Sequence, residues 1–392
     1  MKRKDIPPKL LELSRVGFTP DARFFSRYIL LKESDNMKKI REFLRRKDIL
    51  LSGKRYGIDA MGAMAQGLFC TLLVGTILNT IGQQFHIGFL TNTLGSTGYT
   101  IGGLASAMVG PGIAVAIGVA LHAPGLVLFS LIPVGFAGNA IGGAGGPLAV
   151  YVVAIIACEC GKLVSKETKI DILVTPIVTI LVGIGLACVV AAPIGAAAKA
   201  VGEAIMWATE LQPLLMGILV AVLVGITLTL PISSAAICAS FGLVGLAGGA
   251  AVAGCCAQMV GFAVMSFREN RWGGLVAQGI GTSMLQMPNI IKNPRIWIPP
   301  TLASAITGPL ATCVFKLEMN GAPVSSGMGT CGFVGQIGVY TGWVNSGKAI
   351  TAMDWIGLGL ICFVLPALLS WAFCAILRKW GWIKENDLKL AL

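Results

Sequence analysis

Between Asp59 and Glu159 the chain carries no Asp, Glu, Lys or Arg at all, and apolar runs broken by short Gly, Pro and polar interruptions continue to about residue 377. About 20 such residues cross roughly 30 Å of hydrocarbon as a helix. Ten spans are expected on that measure, over about 58–81, 97–121, 124–140, 144–161, 172–194, 211–230, 233–249, 251–267, 298–316 and 351–377. Three stretches fit poorly. Residues 195–210 carry Lys199, Glu203 and Glu210, which predicts an amphipathic helix along the outer face. Residues 272–291, rich in Gly and Gln, and 321–343, rich in Gly, Ser and Thr, predict re-entrant hairpins. Irregular backbone survives at membrane depth only where protein or a water-filled cavity surrounds it. The expected fold class is an all-α polytopic membrane protein.

Composition narrows the alternatives. The chain is 55% hydrophobic and only 12% charged, against about 25% charged in a soluble domain. A strand barrel would alternate polar and apolar residues, and these runs do not. Sixteen of the 30 Lys and Arg lie in residues 1–55, ahead of the first apolar run. In a soluble chain such a stretch would suggest nucleic acid; here the positive-inside rule reads it as a cytoplasmic arm, with no nucleic-acid partner. The basic clusters around Lys162 to Lys169, Arg268 to Arg271 and Arg378 to Lys389 also fall inside on the ten-span count, so both termini are expected in the cytoplasm. No cleaved leader is expected, because the first apolar run starts more than fifty residues in. The expected division is an arm over 1–54 and a membrane domain over 55–392. Within the arm, Asn36 to Leu51 (NMKKIREFLRRKDILL) reads as an amphipathic helix on anionic lipid headgroups, or as a docking site for a cytoplasmic partner.

An internal repeat is visible. LASAMVGP at Leu104 to Pro111 matches LASAITGP at Leu302 to Pro309; GFAGN at Gly135 to Asn139 matches GFVGQ at Gly332 to Gln336; AQGL at Ala65 to Leu68 matches AQGI at Ala277 to Ile280; GIGLACVV at Gly183 to Val190 resembles GLGLICFV at Gly357 to Val364. The order is kept throughout. Two diverged halves, about 55–194 and 271–377, are expected to flank the 211–267 spans. Transporters with broken helices bind substrate near the midplane between such repeats.

Polar groups in this setting are the candidate chemistry. The repeat pairs Gln66 with Gln278 and Asn139 with Gln336, neutral amides beside glycine that suit sugar hydroxyls or fasten helices together. Gln286, Asn289 and Asn293 form a second string in QMPNIIKNPRIWIPP, where proline prevents a continuous helix. That segment reads either as a broken helix offering backbone groups to a substrate, or as a cytoplasmic turn with Trp297 as an interfacial anchor. Glu159, three residues before Lys162, reads as an ion pair or a binding carboxylate. His86 and His122 sit at segment ends, as interfacial residues or as groups for proton coupling or phosphoryl handling. The eleven cysteines are read as reduced apolar residues, and neither Cys158-Glu-Cys160 nor Cys255-Cys256 has metal-ligand spacing, so no metal or cofactor is expected. With no Walker motif, ATP-driven transport by this chain alone is not expected.

KRYGIDAMGAMAQGLF (Lys54 to Phe69), KIDILVTPIV (Lys169 to Val178), LTLPISSAAI (Leu228 to Ile237), CCAQMVGFAVMSFREN (Cys255 to Asn270), GTSMLQMPNIIKNPRIWIPPTLASAITGPLAT (Gly281 to Thr312) and GMGTCGFVGQIG (Gly327 to Gly338) resemble the membrane component IIC of the bacterial sugar phosphotransferase system, in the branch of perfringolysin-regulator-like proteins. The resemblance covers about 54–390. It implies a bacterial inner-membrane permease, a homodimer, of about ten spans plus re-entrant hairpins, with a sugar as substrate. The His and Glu that contact the sugar in the glucose-type branch match no position here. The arm holds no His or Cys and is too short for a soluble IIA or IIB domain, so separate cytoplasmic IIA and IIB proteins would deliver the phosphoryl group. The alternatives are a membrane sensor or regulator on the same fold, and a proton-coupled transporter of a non-sugar solute.

Overall fold

The computed structural model describes residue 39 and residues 41–390, and the chain divides into two units, Met1–Leu50 and Leu51–Leu392. In the first unit a helix over 41–46 ends where Asp48 takes a φ of +52°. The expected arm helix is thus seen in part, and the arm before residue 39 lies outside the described residues.

In the second unit, glycine, proline and capping hydroxyls set the helix boundaries. Helix α1 (Arg55–Gln84) runs for 30 residues with two π turns, Arg55–Asp59 and Phe69–Leu73. Thr100 caps α2 (Ile101–Ala107) by accepting from the Gly103 N–H at 3.0 Å, and α3 (Val109–Ala120) follows at a 54° bend. Residues 125–164 are apolar enough to pass as one 40-residue helix. They fold instead into α4 (Gly125–Gly142) and α5 (Gly146–Val164), because Gly143 adopts a φ of +51° and Gly138 comes to lie against Val150. A left-handed turn of that kind is open to glycine at little cost. Helix α6 (Asp171–Thr209) packs antiparallel to α5, with Gly161 on Thr179 and Gly145 on Ile194. Small residues let these backbones approach: a Cβ on Gly67 would stand 2.5 Å from the Gly112 carbonyl oxygen.

The later part is less regular. Helices α7 (Pro213–Thr229), α8 (Ser234–Ser240) and α9 (Gly245–Met265) lead to α10 (Phe267–Val276), α11 (Met287–Lys292), α12 (Ile298–Pro309), α13 (Val334–Asn345) and α14 (Ala352–Lys379). Helices α7, α9, α12 and α14 form a bundle through Gly254 on Ala221, Gly308 on Gly217, and Gly261 on Pro300 and Ser370.

Two expected elements differ. No span covers 233–249: Pro231 ends α7, Ser233 caps the seven-residue α8, and Gly242 and Gly245 turn the chain at positive φ, leaving α9 as the crossing helix. The stretch 195–210 is not a separate surface helix. It continues α6 through Pro193, since Gly195 seats on Gly142 and Gly202 on Phe241. Five stretches among the described residues are long and apolar enough to cross a bilayer, with α2 and α3 together making a sixth. The chain is an integral, multi-pass membrane protein.

The two ends of the bundle differ in charge. Arg55 Nη2 and Lys162 Nζ both donate to the Leu121 carbonyl, at 2.6 and 3.0 Å, marking one end. Thr341 Oγ1 donates to Gln84 Oε1 at 2.8 Å, marking the other. Lys292 and Lys389 line one cleft with Asp59, four residues from Arg55, and Arg378 pairs with Glu269 beside Asn270, which bonds Leu388, so these basic side chains gather at the Arg55 end.

Candidate substrate-binding cleft

Three breaks in the helices meet inside the bundle. Residues 272–292 enter from the Arg55 end: the π turn Ala277–Gly281 closes at Thr282, and α11 leads back to Lys292. Residues 321–345 enter from the opposite end and return, with Gly321 against Gly338 and Gly342 against Asn320. The third break joins α7 to α8. Thr330 Oγ1 donates to the Gly279 carbonyl at 2.5 Å, Ser234 Oγ to the Gly327 carbonyl at 2.7 Å, and Thr229 Oγ1 and Ser283 Oγ share a bond of 2.8 Å. Gly329 and Gly332 adopt positive φ at this tip, where Gly329 touches Cys255. The space there, lined by Leu68, Ser234, Thr282, Met284 and Met328, measures only about 20 Å³, room for about one water. A sugar does not fit the junction in this conformation.

Beside it, the amide string forms a closed lattice. Gln278 Nε2 donates to Ser266 Oγ at 2.8 Å and to the Gly274 carbonyl at 2.9 Å, while its Oε1 accepts from Gln286 Nε2 at 2.8 Å. Gln286 Nε2 also donates to the Leu388 carbonyl at 3.0 Å, and its Oε1 accepts from Asn289 Nδ2 at 2.8 Å. Asn289 reaches the Lys389 carbonyl at 2.9 Å; Asn293 holds the Trp382 carbonyl at 3.0 Å and Asp387 at 2.8 Å. Asn270 completes the set by donating to the Leu388 carbonyl at 2.7 Å and accepting from the Leu390 N–H at 2.8 Å. Groups read in sequence as a broken helix open to a ligand are thus mostly spent on the segment 380–390. Trp297 points inward rather than anchoring at an interface, donating to Gln258 Oε1 at 3.0 Å. Gln258, which sequence reasoning passed over, is fully buried and also bonds Thr229 and Thr301.

A cleft of about 350 Å³ opens between α1, α3, α11 and the C-terminal segment, within the usual range of ligand sites. Asp59, Gln66, Asn289, Lys292 and Lys389 supply its polar groups, and Ile58, Ala116, Leu285 and Pro288 its apolar walls. Asp59 and Gln66 are seven residues apart on α1, hence on one face. Both are exposed, and their side chains carry no hydrogen bond to a described residue. Asp59 was missed as a site residue, although its spacing from Gln66 in KRYGIDAMGAMAQGLF was legible.

The other candidates lie elsewhere. Glu159 accepts from Tyr56 Oη at 3.0 Å and pairs with Lys162 at 3.1 Å, so it ties α1 to α5. Exposed His122 sits in the α3–α4 turn at a φ of +56°. Asn139 packs against the Gly146 backbone. Gln336 Nε2 donates to Cys256 Sγ at 3.2 Å, and its buried Oε1 has no partner among the described residues. The structure brings Gln66 together with Asn289, and Gln278 with Gln286 and Asn289; it leaves Glu159, His122, Asn139 and Gln336 apart from both groups. All eleven cysteines are free, and no cluster of three metal-ligating side chains occurs among the described residues.

Comparison with known proteins adds one finding. A search of curated proteins returns no match, and neither does a search of solved structures. Residues 58–390, nearly the whole second unit with its cleft and its three breaks, match the family described as "Phosphotransferase system, EIIC". This chain therefore belongs to the phosphotransferase-system EIIC family, the sugar-permease-type membrane components that work with cytoplasmic IIA and IIB proteins.

Proposed function

We propose that this EIIC chain binds a sugar in the cleft between α1 and α11 and moves it through the junction of the three breaks by alternating access. One observation carries the reading: Asp59, Gln66 and Asn289 line a single sugar-sized space whose wall residue Leu285 is the direct neighbour of Met284, which lines the narrow void at the junction. A carboxylate accepts from sugar hydroxyls, and an amide both donates and accepts. Lys292 and Lys389 at the rim suit the phosphate of a phosphorylated product.

The Arg55 end is the cytoplasmic face on this reading, since it gathers the basic residues. Both termini and the cleft mouth then face the IIA and IIB partners, in a bacterial inner membrane. The protein works as a homodimer, and the finer branch assignment rests on the sequence motifs. The two repeat halves are diverged copies that now differ in local structure.

The test is a thermal-shift screen of the purified protein against sugars, since a ligand that binds only the folded state raises apparent stability by mass action. A sugar that shifts the wild type and leaves Asp59→Asn unmoved supports the cleft. An equal shift in both proteins removes Asp59 from the site. Uptake that needs the proton gradient and ignores loss of IIA and IIB would overturn phosphotransferase coupling. Loss of output, with uptake intact, on deleting residues 1–50 would add the regulatory role.

A further inference from the structure

Away from the cleft, two grooves meet on the face formed by α9, α10 and α14. The first, of about 590 Å³, is lined by Arg268, Arg378 and Lys379 together with Phe267 and Trp371. The second, of about 460 Å³, is lined only by apolar and glycine positions, among them Val260, Ile280, Phe333, Phe363 and Ala367. Val264 and Leu275 border both grooves, which makes them one trough, basic at the Arg55 end and apolar further in. The acid beside it, Glu269, is committed: its Oε1 accepts from Arg378 Nη2 at 2.6 Å, and its side chain is only 4% exposed. Arg268 and Lys379 are exposed and carry no ion pair among the described residues. The trough therefore keeps a net positive head and an apolar body.

That combination selects its occupant. A sugar finds no hydrogen-bonding side chain along the apolar part. An occupant must bring an anionic group to Arg268 and Lys379 and an apolar segment along the rest of the trough, which one anionic lipid supplies in a single molecule. We propose that the trough is a specific site for one anionic phospholipid, its phosphate held by Arg268 and Lys379 and an acyl chain lying along Val264, Ile280 and Phe363.

Native mass spectrometry of the full chain in detergent, titrated with phosphatidylglycerol and with phosphatidylethanolamine of the same acyl chains, tests this. The wild type is expected to prefer phosphatidylglycerol by about ten-fold or more. Each Lys or Arg near an anionic headgroup contributes roughly a five-fold preference. Arg268→Gln with Lys379→Gln should thus lose about 30-fold in phosphatidylglycerol affinity, and much less in phosphatidylethanolamine, whose own ammonium offsets the same phosphate. Ala367→Phe, which fills the apolar end, should weaken both lipids with the cations in place. Equal binding of the two lipids by the wild type overturns the proposal, as does a preference that survives the double substitution. Displacement of the lipid by glycerol phosphate, with no effect of Ala367→Phe, would reduce the site to a phosphate contact and also overturn it. A wild-type dimer that loses its partner in the double variant, with no lipid retained, would assign the trough to a second copy instead.

Discussion

The cleft and the amide lattice lie side by side and are built from the same residue types, yet they hold their polar groups in opposite states. In the lattice, both N–H donors and the oxygen of Gln278 are taken, and so are those of Gln286; both side chains are fully buried. In the cleft, Gln66 and Asp59 are exposed to a space of about 350 Å³ and engage no described residue. Asn289 belongs to both, with Nδ2 spent on Gln286 and Lys389 while the residue lines the cleft wall. In a membrane protein, an amide whose donors and acceptors are filled by protein acts as a fastener. One that keeps them free in a water-filled space is available to a ligand.

The largest expected effect breaks the lattice. Gln286→Leu leaves Gln278 Oε1 and one Asn289 N–H unpaired, while the Leu388 carbonyl keeps Asn270. At about 1 kcal/mol or more per buried polar group left unpaired, it should cost about 2 kcal/mol or more. A large fall in melting temperature and rapid proteolysis within 380–390 would show it; unchanged protection of that segment would refute the fastener role. Asn289→Ala should fall between the two regions, losing about 1–2 kcal/mol of stability together with about five-fold in sugar affinity, by thermal melts and titration. Gln66→Ala should leave stability within about 0.5 kcal/mol and cut sugar affinity about ten-fold, the equivalent of 1.4 kcal/mol. A stability loss without an affinity loss would move Gln66 into the fastener class. The smallest effect belongs to Lys389→Gln: no change for a neutral sugar, and a two- to three-fold weakening for its phosphate that vanishes at high salt.

The matched sequence blocks show why local resemblance did not settle local structure. LASAMVGP spans the bend between α2 and α3, whereas LASAITGP lies within α12. Gly110 of the first block packs on Gly135, while its counterpart Gly308 packs on Gly217. GFAGN lies inside α4, but GFVGQ opens α13 after Gly332 and Phe333 take positive φ. Similar strings were driven into different conformations by their neighbours, because glycine-rich sequence permits either outcome and packing chooses between them. That helices break within 272–291 and 321–343 was legible, since stretches rich in glycine with glutamine or hydroxyls make poor plain spans. Their contact through Thr330 and Gly279 was not, as it joins residues 51 positions apart through one hydroxyl.

From its order of residues alone, this chain was bound to be a helical membrane protein with a basic end. The cost of unpaired backbone in hydrocarbon leaves a nearly uncharged run of that length no other solution, and the family was readable in its long motifs. Which amides hold the fold and which face a ligand was decided only by tertiary structure. The partners that fill Gln278, Gln286 and Asn289 include backbone carbonyls of Leu388 and Lys389, about a hundred residues away, and every residue type offers the same carbonyl to sequence reading.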